Sequence, residues 1–103
     1  MMKYDLFKDI TDEMLKTYVA KNHDYGDSFG QTYHELGIIS AITRIRDKSN
    51  RLVSLVTKRK QLVQESIEDT LLDLANYCIM TVIELRTQRE QEASYSNYIN
   101  EGD

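Results

Sequence analysis

Apolar residues recur at three- and four-residue steps in three stretches of this chain, and each stretch predicts a helix. The first covers residues 12–22, with Met14, Leu15, Tyr18 and Val19 as its stripe. Thr11 suits its N-cap, and Asp12 and Glu13 suit its first turn. The second covers residues 31–57, where Ile38, Ala41, Ile42, Ile45, Leu52 and Val56 define one face. Gly37 interrupts it as a weak spot or a point of close packing. The third covers residues 65–91 and carries Ile67, Leu71, Leu74, Ala75, Cys78, Val82 and Leu85. Leu72, Ile79 and Ile83 add an adjacent apolar face, and a helix apolar on two faces is buried on two sides. The expectation is an all-α fold: a short N-terminal helix and two long antiparallel helices, the bundle completed by oligomerisation as a homodimer or larger. Residues 1–93 are expected to form a single domain. Residues 94–103 lack periodicity and are expected to fray. Residues 58–64 read as a connection with a basic patch.

Composition narrows the class. The chain has 103 residues, no proline and four glycines, which favours long uninterrupted helices. The formal net charge of −4 argues against general nucleic-acid binding. Cys78 is the single cysteine, so no intrachain disulfide or cysteine zinc cluster forms. No apolar run approaches the roughly 20 residues of a membrane span, and the N-terminus is too polar for a signal peptide. These features fit a cytoplasmic protein.

Three clusters carry chemistry. In "ESIEDTLLDLANYCIM", Glu65, Asp69 and Asp73 follow one another at four-residue steps, and Asn76 falls in the same sector. Further along, that strip becomes apolar through Leu72, Ile79, Met80 and Ile83, so its carboxylates are expected to face a partly enclosed space. Partly buried carboxylates resist ionisation unless a cation sits between them, and Mg²⁺ takes such oxygen ligands together with substrate phosphates. Acids near a helix N-terminus also complement its dipole; that covers Glu65, Glu68 and Asp69 but not Asp73. In "RIRDKSNRL", Arg44, Lys48 and Arg51 share a face, and convergent cations suit phosphate. Ion pairing of Asp47 with Arg51 on a solvated face is the plainer alternative. Glu35 adds a further carboxylate near the start of the second helix. The third cluster is "KNHDYGDSF", residues 21–29, which lies between two predicted helices.

Taken in order, "KNHDYGDSF", "HELG", "RIRDKSNRL" and "ESIEDTLLDLANYCIM" resemble the phage and bacterial family called nucleotide modification associated domain 1. The resemblance covers residues 21–80 and implies action on nucleotide pools or modified DNA precursors. More distantly, the pattern is similar to the all-α MazG-like and dUTPase-like nucleotide pyrophosphohydrolases. In those proteins, acids on adjacent helices bind Mg²⁺ and water attacks a phosphoanhydride. That likeness implies Glu35, Glu65, Asp69 and Asp73 as metal ligands, with Glu68 or Asp47 assisting the attacking water. Arg44, Lys48 and Arg51 would steady the phosphates, and Asn76 would contact substrate. In the loop, Lys21 would meet a phosphate, Tyr25 or Phe29 would stack on a base, and Asn22 or Asp24 would hydrogen-bond it. The loop itself would act as a lid.

The leading expectation is therefore a Mg²⁺-dependent nucleoside triphosphate pyrophosphohydrolase. The second helix lacks the tight glutamate pair usual in that group, which favours the first alternative, a phage protein that sequesters a nucleotide or nucleotide messenger without turnover. The second alternative is a helical protein-interaction module.

Overall fold

The computed structural model describes residues 1–57 and 63–101, with the side chains of 63–65, 100 and 101 excluded. The chain folds as four helices: α1 (Lys3–Tyr25), α2 (Ser28–Leu36), α3 (Ile38–Thr57) and α4 (Val63–Glu101). No strand occurs among the described residues, and the fold is all-α. The basic connection expected at 58–64 lies outside the described residues apart from the start of α4.

The first helix is not short. Thr11 was the expected cap, but its hydroxyl donates to the Lys8 carbonyl at 2.9 Å inside α1. The helix instead begins nine residues earlier, where the Asp5 carboxylate accepts the Met2 backbone N–H at 3.1 Å. At the other end α1 runs through Asn22 to Tyr25 and stops at Gly26, whose φ of 68° few other residues adopt.

The expected second helix is two helices. Gly37 has φ 78° and ψ −172°, its N–H donates to the Tyr33 carbonyl at 2.7 Å, and α2 ends there. Ser40 then bonds back to the Gly37 carbonyl through its N–H at 3.1 Å and its hydroxyl at 2.8 Å, which starts α3. The apolar periodicity runs across this break because Tyr33 and Ala41, on either side of it, enter the same core. Gly37→Ala is expected to cost about 1–3 kcal/mol, since this backbone region is nearly glycine-specific. Urea denaturation of the variant measures the loss.

α3 and α4 are antiparallel. Ile38, at the start of α3, shares a cleft with Glu84 and Gln88, whereas Lys48, further along, reaches back to Asp73. α4 continues as helix to Glu101, past the end of the apolar pattern at residue 91, and its side chains from Arg86 to Ile99 are exposed.

The core is small. Among the described residues, Met14, Phe29, Tyr33 and Ala41 are the buried apolar ones, and Tyr77 and Met80 pack against the last three. Thr70 and Thr81 are buried on the same side of α4, each hydroxyl donating to the carbonyl four residues back at 2.7 Å. These threonines satisfy their own polar atoms within the helix, so burial costs them no orphaned hydrogen bond.

Candidate functional site

The end of α1, the start of α2 and the facing sides of α3 and α4 enclose a cavity of about 290 Å³. α1 supplies Thr17, Tyr18, Lys21, Asn22 and Tyr25. These residues fall on one side because they recur at helical spacing. Gly26 turns the chain, and the Asp27 carboxylate caps α2 by accepting the Gly30 N–H at 3.0 Å. A loop was expected at residues 21–29, but these residues belong to two helix ends joined by a two-residue turn, Gly26 and Asp27.

α2 brings in Phe29, which is buried. Its ring stacks on Tyr77 of α4, centroids 6.0 Å apart at 20°. The Arg44 guanidinium of α3 lies 5.4 Å from the Phe29 centroid. Phe29 is therefore a wall and a seat for Arg44, not an open stacking platform. Tyr25, 76% exposed at the mouth, is the ring free to meet a planar ligand.

Lys48 donates to Asp73 at 3.1 Å across the α3–α4 interface. Both are partly exposed, so the pair is worth at most about 1 kcal/mol to stability. Its larger consequence is positional: it sets one cation against the cavity. Lys21, Arg44 and Lys48 face a single carboxylate, Asp73, in a chain that is acidic overall. A cluster of positive charge against the sign of the whole molecule attracts an anion.

A second cleft of about 330 Å³ adjoins the first and shares Thr17, Asp73 and Asn76 with it. Glu13 and Asp69 complete its acidic side. Among the described residues, no three of His, Cys, Asp and Glu gather at a spacing that could hold a metal ion.

The family comparison bears on this site. The description Nucleotide modification associated domain 1 matches residues 21–85. The chain belongs to that family. Comparisons with curated proteins and with solved structures returned no match. The matched part of this nucleotide modification associated domain contains every residue of the cationic cavity except Thr17 and Tyr18.

Of the expected site residues, the domain brings Lys21, Asn22, Tyr25, Phe29, Arg44, Lys48, Asp73 and Asn76 to one cavity. The others lie elsewhere. Asp24 is about a quarter turn off the cavity side of α1; it sits exposed beside His23, with Nδ1 and Oδ1 3.3 Å apart. Asp69 lines the adjoining cleft. Glu35, Asp47, Arg51 and Glu68 are exposed and line neither cavity. The side chain of Glu65 lies outside those described. Sequence reasoning passed over Tyr77 as a wall residue, although it falls four residues after Asp73 and so on the same side of α4.

Among the described residues, Glu84 is the acid whose pKa is displaced. Burial, then the Asp27 charge, raises Glu84 above its ordinary value, while His34 partly opposes the rise. A raised acid pKa means the fold favours the protonated form, so stability falls as pH rises through the titration. Glu84→Gln should raise Tm slightly at pH 7, and the gain should vanish below about pH 4, where both states bind the proton. Thermal melts across that window measure it.

Proposed function

We propose that the cavity binds a nucleotide, with phosphates on Arg44, Lys48 and Lys21 and the base against Tyr25. The observation that carries this reading is three cations and one exposed aromatic ring converging on one partly enclosed cavity. Phosphate suits a guanidinium fork and point-charge ammoniums. Asn22 and Asn76 supply amide groups for the base edge or sugar. The volume is near the small end for ligand sites, which suits one mononucleotide better than a dinucleotide. Membership in a nucleotide-associated family agrees with this choice of ligand.

Pyrophosphohydrolysis is the second reading. It is favoured by the acidic cleft of Glu13, Asp69 and Asp73 beside the cationic one. The likeness to MazG-like enzymes would require Mg²⁺ there. The described acids do not form a ligand set on one chain, and Asp73 already accepts from Lys48. We therefore place binding ahead of turnover and route no step through a metal.

A melting scan against the common nucleoside mono- and triphosphates, with and without Mg²⁺, followed by product analysis, tests both. Binding at a hundredfold excess over Kd raises stability by about 2.7 kcal/mol. The binding reading expects a shift with the nucleotide recovered intact. Under it, Asp73→Asn removes a negative charge from the cavity and leaves affinity equal or a few fold tighter. Released pyrophosphate that disappears in Asp73→Asn would replace binding by hydrolysis.

A further inference from the structure

The side of the α3–α4 hairpin away from the cavity is apolar and bare. On α4, Leu71, Ala75, Cys78, Val82 and Leu85 follow at steps of four, three, four and three. That is the spacing of a coiled-coil seam. Leu71 is 48% exposed, Val82 44% and Leu85 38%, and Cys78 is exposed as well. No charged residue interrupts the seam. On α3, Ile42 and Val53 are exposed, and helical spacing sets them on the same flank of the hairpin, opposite Arg44.

The whole chain shows the same deficit. It exposes 8629 Å², against roughly 6000 Å² for a compact monomer of its mass. Its radius of gyration is 17.7 Å, against roughly 13 Å for a compact domain of its length. The excess area is more than the roughly 800 Å² per partner of a standard interface and falls in the range of obligate dimers.

We infer that a second copy of this chain covers this face, with the two α4 helices crossing antiparallel about a two-fold axis at Cys78. The seam reaches seven residues to either side of that residue, to Leu71 and to Leu85, with Ala75 three residues before it and Val82 four after it. Antiparallel pairing lays Leu71 against Leu85 of the other copy and the small Ala75 against its Val82. Cys78 meets its own counterpart. Small residues at the centre with larger ones outside let the helices approach closely and interdigitate. Charge selects the direction: Glu68 lies beyond one end of the seam, Arg86 and Arg89 beyond the other. Antiparallel helices bring these opposite charges near each other, and parallel ones align like with like. Both cavities remain open on the outer sides of the resulting bundle, so the dimer stands whether or not nucleotide binds.

Sedimentation of the full-length protein, followed by mild diamide oxidation and non-reducing electrophoresis, tests this. The expected result is a dimer in solution, most of which becomes covalently linked through Cys78. Leu71→Cys in a Cys78→Ala background should stay dimeric and uncrosslinked, because its two thiols then lie far apart along the seam. A monomer at micromolar concentration overturns the proposal. So does a dimer whose Cys78 stays reactive to thiol reagents and unlinked. Efficient crosslinking of the Leu71→Cys variant overturns the antiparallel arrangement.

Discussion

Arg44→Ala is expected to weaken binding of a nucleoside triphosphate by about a hundredfold, with little change in stability. Arg44 has two roles in the cavity. Its guanidinium carries charge and a fork of donors, and Phe29 holds that fork 5.4 Å from its ring centroid. A hydrogen bond to a charged group contributes about 1.5–3 kcal/mol, and each 1.4 kcal/mol is tenfold in affinity. The cation–π contact itself is worth about 0.5–1 kcal/mol to the fold, so melting temperature should move little. Arg44→Lys keeps the charge but loses the fork and the ring seat, so an intermediate loss of about tenfold is expected. Calorimetric titration of the two variants beside the unaltered protein gives both values. Equal losses in the two variants would mean that geometry, not charge, carries the contact.

Phe29→Ala is expected to cost about 3–5 kcal/mol of stability, the largest single loss in the chain. Phe29 is 6% exposed and belongs to the small buried cluster of Phe29, Tyr33 and Ala41. Removing its ring leaves a void beside Tyr77 and takes away the seat of Arg44. With so few buried apolar residues, no neighbouring layer offsets the loss. A domain has about 5–15 kcal/mol in total, so the variant should sit close to unfolding at 37 °C. Phe29→Leu refills much of the void and should recover half or more of the stability, but not the full affinity, since no ring then orients Arg44. Urea denaturation of the two variants measures the stability difference, and titration measures the affinity.

These two residues also mark how far the sequence could be read. Arg44 and Lys48 on one helix and Asp73 and Asn76 on another are legible as stripes, because helical period alone sets which side chains share a face. Their meeting in one cavity follows from the antiparallel packing that the two long apolar patterns require. The break at Gly37 was not legible. A glycine inside an apolar pattern reads equally as a tolerated flaw or a stop, and only the positive φ decides. The same holds at residues 21–29. Glycine and polar residues suggested a loop from His23 onward, but α1 continues to Tyr25. That single added turn brings Tyr25 to the cavity with Lys21 and Asn22 and carries Asp24 aside. Phe29 was legible as an aromatic at the site and not as a wall, since its role depends on Tyr77 stacking from α4, a contact between residues far apart in sequence. The acids were the least legible. Spacing places Asp69 and Asp73 on one side of α4, but whether they meet a metal or a lysine depends on what faces them, and Asp73 faces Lys48.

The central claim is that this cavity is the nucleotide site. A titration of isotope-labelled protein with a deoxynucleoside triphosphate, followed by amide chemical shifts, tests it most directly. The account predicts saturable shifts concentrated at Lys21, Tyr25, Arg44, Lys48 and Tyr77, and their loss in Arg44→Ala. Shifts that cluster elsewhere, or that persist unchanged in Arg44→Ala, would contradict it.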